Sequence, residues 1–101
     1  MAETTPADIL ITACEGGINN WASVIAYHPS QCYAKIVDME IKTGETLKIT
    51  EDVIRKGLNL IRTDKVQIAE DIVRDIRCDD IDSTAADCIV QVGLFGELRY
   101  S

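Results

Sequence analysis

Three groups of side chains in this 101-residue chain have types and spacings that could do chemistry. The first is the run Cys14-Glu15-Gly16-Gly17-Ile18-Asn19-Asn20-Trp21, which joins a carboxylate, two amides and two permissive glycines to the only tryptophan. Such a loop can shape a small-ligand or nucleotide pocket, with Trp21 as a stacking wall and Asn19 or Asn20 supplying hydrogen bonds. Its candidate ligand contacts are Glu15, Gly16, Gly17, Asn19, Asn20 and Trp21. The competing reading is a hairpin turn that tucks Trp21 into the core. The run is not G-x-G-x-x-G and no helix is expected after it, so it does not read as a phosphate loop.

The second group pairs one of Cys14, Cys32, Cys78 or Cys88 with the single histidine, His28. A nucleophile of this kind needs a thiolate beside an imidazole and a third group to orient it. Only Cys32 stands near His28 in sequence, across Pro29-Ser30. Cys14 and Cys88 sit in apolar runs, where a thiol behaves as a small hydrophobe. No C-x-x-C pair is present, so zinc ligation is poorly supported. The expectation is a non-enzyme that uses no metal and no cofactor.

The third group is acidic. From Asp64 to Asp87 the chain carries eight acids against Lys65, Arg74 and Arg77. On a helix, Asp71, Asp75 and Asp79 would fall at i, i+4 and i+8 and form one ridge. Carboxylates about 5.4 Å apart along the axis resemble the phosphate spacing of a nucleic-acid strand. Asp71, Asp75, Asp79, Asp80 and Asp82 are therefore the candidate partner-binding residues of a DNA-mimicking face, against the plainer reading of a solvated helix. Asp79-Asp80-Ile81-Asp82 lacks the central glycine and the terminal bidentate Glu of a calcium loop.

The elements that must position these groups follow from pattern and punctuation. Asp8 to Cys14 is a short, apolar, β-branched run that predicts a buried strand. Trp21 to Tyr27 predicts a second strand, closed by His28-Pro29-Ser30. Cys32 to about Ile41 predicts a third, with Tyr33, Lys35, Val37 and Met39 alternating against Ala34, Ile36 and Asp38. Lys42-Thr43-Gly44-Glu45 reads as a turn, and Thr46 to Ile49 as the returning strand of a hairpin. The period then changes. Thr50 is placed to cap a helix through Ile61, and Asp64 a second one with the stripe Ile68, Ala69, Ile72, Val73 and Ile76. Asp82 or Ser83 caps a third helix that ends at Gly96, and Glu97 to Tyr100 is expected to return as an edge strand.

Strands first and helices afterwards predict an α+β domain: a small antiparallel sheet of three to five strands, covered on one face by about three helices. One domain is expected over residues 1–101, with 1–6 frayed. Seventeen acids against ten lysines and arginines give a net charge of −7. That sign disfavours direct nucleic-acid binding and suits a protein partner with a basic face. No apolar run approaches the ~20 residues of a membrane span. Reduced cysteines and no leader pattern predict a cytoplasmic protein, a homodimer being open.

Three stretches together resemble a known family. They are the loop Glu15-Gly16-Gly17-Ile18 with Trp21, the segment Ile54-Arg55-Lys56-Gly57-Leu58, and the tail from Ala86 to Glu97. The chain is similar, from Ile9 to Tyr100, to small proteins of phages, prophages and actinobacterial genomes with an E-G-G-I-x-x-W start and an I-V-Q-x-G-L-F-G-E end. It departs at Asn20, where an aromatic is frequent, and at Ser101, where glycine is common. The resemblance implies a phage-derived accessory protein that binds and disables a host defence component, of the anti-CRISPR or anti-restriction type.

Overall fold

The computed structural model describes residues 4–41 and 44–100. It opens not with a strand but with helix α1, Pro6–Thr12. Thr5 caps it by accepting the Asp8 N–H, and the Asp8 carboxylate accepts the Thr5 N–H in return, with Pro6 in the first turn. That reciprocal cap, and a proline whose missing N–H costs nothing there, outweigh the β preference of Ile9, Ile11 and Thr12. The expected strand over Asp8–Cys14 is thus corrected, and Thr5 and Pro6, expected to be frayed, start an ordered element.

α1 runs into a single π-helical turn, Ala13–Gly17, in which the Ile18 N–H reaches the Ala13 carbonyl at 3.0 Å. Three strands follow: β1 (Ala22–His28), β2 (Tyr33–Asp38) and β3 (Thr46–Ile49). They form an antiparallel sheet in the order β1-β2-β3, with Ala22 opposite Asp38 and Ala34 opposite Ile49. Ile25 is an extra residue in β1, where the register shifts between Val24 and Ala26. β2 stops at Asp38, short of the expected Ile41. Of the expected turn, Lys42 and Thr43 lie outside the described residues, and Gly44 has φ 70°.

Helices α2 (Glu51–Arg62), α3 (Glu70–Arg77) and α4 (Ser83–Phe95) complete the chain. The architecture is the expected α+β, with α1 as an additional helix. Thr50 caps α2 through the Val53 N–H and Asp82 caps α4 through the Ala85 N–H, as their positions predict. Asp64 does not cap α3. It lies beyond α2 at φ 61°, and the Asp64 and Lys65 N–H groups close back on Ile61 and Leu60. That double return is a left-handed helix stop, so α3 begins only at Glu70. Glu97–Tyr100 is not a strand.

The core lies between the helices and one face of the sheet. Ala34, Ile36 and Ile49 from the strands are fully buried, as are Ile9 and Leu10 of α1, Ile54 of α2, Ile76 of α3 and Ile89, Val90 and Val92 of α4. Alternation leaves Lys35 and Lys48, paired across β2 and β3, on the face away from these residues. α2 and α4 meet backbone to backbone at Gly57 and Gly93. A Cβ on Gly57 would run into the Ile89 carbonyl, and one on Gly93 into the Val53 carbonyl.

Candidate functional site

The acidic stretch does not form the expected ridge. Asp71 and Asp75 share a face of α3 one turn apart, but the helix ends at Arg77, before Asp79 can continue the row. Asp79 instead takes φ 60°. The Asp79 and Asp80 N–H groups return to Ile76 and Asp75, the same stop that Asp64 makes after α2. The Asp79 carboxylate accepts the Thr4 N–H at 2.8 Å, pinning the segment just ahead of α1. Asp82 is occupied as the α4 cap at 2.8 Å. Two of the five candidate residues therefore hold the fold together. Asp71 and Asp80 are exposed and Asp75 is half-buried, and Glu70 extends the same exposed strip. Among the described residues the one ion pair, Arg55 to Glu51 at 3.1 Å, lies elsewhere, so the strip carries its charge uncompensated by any direct bridge.

The Gly-Gly run is rebuilt too. Neither Gly16 nor Gly17 has a positive φ. Gly17 is needed for close approach, since a Cβ there would sit 2.7 Å from the Ser83 carbonyl at the start of α4. Glu15, exposed, accepts the Tyr27 hydroxyl at 3.3 Å, while Asn19 and Asn20 face solvent. Trp21 is 2% exposed, and Tyr100 stacks on it at 5.3 Å between ring centres, with Phe95 tilted against it at 5.6 Å. Its rings are spoken for, so Trp21 belongs to the core, as the competing reading of this run has it, although the run forms a π-helical turn and not a hairpin.

What Trp21 does is anchor a buried polar chain that no single stretch of sequence displays. Its indole N–H donates to Asp87 at 2.8 Å, and the Gln91 amide donates to the same carboxylate oxygen at 3.0 Å. Gln91 is fully buried and makes all four bonds its amide allows. It donates also to the Tyr100 carbonyl at 2.8 Å and accepts the Arg99 and Tyr100 N–H groups at 3.0 and 2.7 Å. The Tyr100 hydroxyl then donates to Asp38 at 2.7 Å, and the Glu40 N–H caps the other Asp38 oxygen at 2.9 Å. The tail is held by side-chain amide and hydroxyl groups where an edge strand was expected. Asp38, Asp87, Gln91 and Tyr100 were not singled out as site residues. The available signal was Gln91 itself, a polar residue inside the apolar run Cys88 to Val92.

Around this chain opens a cleft of about 340 Å³, lined by Asn20, Trp21, Glu40, Asp87, Arg99 and Tyr100. Asp87 titrates above the ordinary carboxylate value, because burial outweighs the hydrogen bonds from Trp21 and Gln91 that favour its charge. The sign for stability follows. The folded state holds the Asp87 proton more tightly than the unfolded chain, so this group adds stability as pH falls through its raised value toward 3.8 and subtracts it at neutral pH. Asp87→Asn keeps an oxygen for the Trp21 and Gln91 donors and removes the buried charge. It is expected to melt no lower than the parent at pH 7, its advantage shrinking as both proteins are melted at pH values approaching 4.

Three of the four thiols are poorly placed to be nucleophiles. Burial, aided by Glu15, pushes Cys14 up to about 11, and burial, aided by Asp87 and Asp82, does the same for Cys88. Cys32 is buried and also raised, chiefly by burial, and Cys78 is exposed. His28 is exposed and stacks on Tyr33 at 5.9 Å. Among the described residues no three His, Cys, Asp or Glu side chains gather as a metal site would require, and no helix is long and apolar enough to cross a membrane.

The fold and these side chains define a small α+β domain with an acidic strip that, among the described residues, forms no direct salt bridge, and a polar cleft. Comparison with family models, with curated proteins and with solved structures finds no match to the chain.

Proposed function

We propose that the chain is an accessory binding protein of phage or prophage origin that captures a host defence component through the basic surface of that component. The observation that supports this most is the strip Glu70, Asp71, Asp75 and Asp80, which stands on α3 and the turn after it with no cation bridged to it among the described residues. Leaving like charges unpaired one helical turn apart costs α3 stability, and a partner's lysines and arginines would relieve that cost on binding. The net charge of −7 adds long-range attraction toward any basic face and repulsion from nucleic acid. Raised pKa values at Cys14, Cys32 and Cys88 leave those three thiols little thiolate for covalent catalysis. On this reading the protein works in the cytoplasm of the infected cell.

The test is affinity capture from host lysate, compared between the parent and Asp71→Lys/Asp75→Lys. Capture is expected to fall at least about tenfold in the variant, as loss of a few rim charge pairs implies, and to weaken in the parent as salt is raised. An unchanged set of captured proteins would remove the acidic strip from the function.

A further inference from the structure

The cleft beside Trp21 has two charged poles that the fold holds apart. One pole is acidic. Asp87 uses one oxygen for both Trp21 and Gln91, and among the described residues its second oxygen receives no donor. Glu40 stands on the same cleft, exposed, with its backbone tied to Asp38 at 2.9 Å. The other pole is Arg99. Its guanidinium lies over the Phe95 ring at 4.1 Å and makes no ion pair with either carboxylate. Opposite charges lining one small cleft would ordinarily close on each other. Here Gln91 fixes the Arg99 backbone at 3.0 Å and Phe95 holds its head group, so the gap stays open.

We propose that this cleft binds a small zwitterion of amino-acid size, its ammonium on Asp87 and Glu40 and its carboxylate on Arg99. A half-buried carboxylate with a free oxygen and, among the described residues, no ion pair gains most from a ligand that brings both hydrogens and positive charge. An ammonium does so, whereas a nucleotide phosphate would meet two negative groups at the same place. The volume, about 340 Å³, lies at the small end of the ~300–1,000 Å³ of ligand pockets and suits such a molecule. The Asn20 amide at the rim offers a further polar contact. The site shares no residue with Asp71, Asp75 or Asp80, so it stands or falls independently of the acidic strip.

The experiment is a nuclear magnetic resonance titration of the full chain that follows the Trp21 indole N–H, with each of the common L-amino acids in turn at millimolar concentration. Butylamine and butyrate serve as single-charge controls. At least one amino acid is expected to shift the indole signal saturably, and both controls to bind at least about tenfold more weakly, the loss that deletion of one charge-assisted contact gives. Asp87→Asn and the surface variant Arg99→Gln should each weaken that amino acid about tenfold or more while the thermal melt stays cooperative. Absence of a saturable shift with every amino acid overturns the proposal. So does butylamine binding as tightly as the best amino acid, or binding that survives unchanged in both variants.

Discussion

Gly93→Ala is expected to lower the melting temperature of this domain by roughly 12 °C or more, corresponding to about 3 kcal/mol or more at 4–8 °C per kcal/mol for a domain of this size. Helix propensity alone predicts the reverse, since alanine is favoured over glycine by ~1 kcal/mol in a helix interior. Packing wins because the obstacle is backbone. The added methyl would strike the Val53 carbonyl, and neither helix can yield except by moving as a whole. Separating α2 from α4 loosens Ile54, Leu58, Ile61 and Ile89, all in the core. Gly57→Ala should behave alike, because the contact is reciprocal. Gly16→Ala is the control: its nearest neighbour would be the Ser83 Cβ at 3.8 Å, an ordinary contact, and the melt should barely move. A Gly93→Ala protein melting within a few degrees of the parent would mean the two helices do not touch through their backbones.

Gln91→Leu is the second large effect. Leucine matches the volume and suits a fully buried position in an apolar helix, yet the substitution leaves the Arg99 N–H, the Tyr100 N–H and the Tyr100 carbonyl without partners. Each such group costs about 1–3 kcal/mol if it stays buried. The chain has a cheaper escape, which is to release the tail into water, so the loss should level off near 3 kcal/mol rather than sum over all three groups. Release uncovers Trp21, because Tyr100 is the ring stacked upon it. The expected readings are a red-shifted tryptophan emission and trypsin cleavage after Arg99 well below the melting temperature. A variant with parental emission and no cleavage would show that the tail is held by its rings alone.

Much of the fold was legible because its signals are local. Thr50 and Asp82 announce their helices by a side chain that reaches an N–H three residues on, and Gly96 ends α4 at φ 77°, as its position predicts. The hairpin of β2 and β3 follows from alternation about a turn. The misreadings are local signals in competition. At Asp8–Cys14 the β-branched run outvoted Thr5-Pro6-Ala7-Asp8, a capping box with proline at its first helical position. At Asp64 and Asp79 the spacing predicts a helix start and a ridge member, yet each is a helix stop in the left-handed conformation that aspartate tolerates better than most residues. Removing Asp79 from the row shortened the acidic ridge to Asp71 and Asp75.

By itself the sequence determined the class of the domain, its excess of carboxylate, the caps of α2 and α4 and the burial of most of its apolar residues, since each depends on neighbours a few positions away. Tertiary structure alone decided that Trp21 faces Asp87, 66 residues on, and that Tyr100 reaches Asp38, 62 residues back. It decided too that Gly57 and Gly93 are the crossing point of two helices and that Arg99 stands apart from the acids of its cleft. Those juxtapositions come from packing remote segments into one shared volume. A side chain's type and spacing say which bonds it can make, and only the folded path of the chain says with whom.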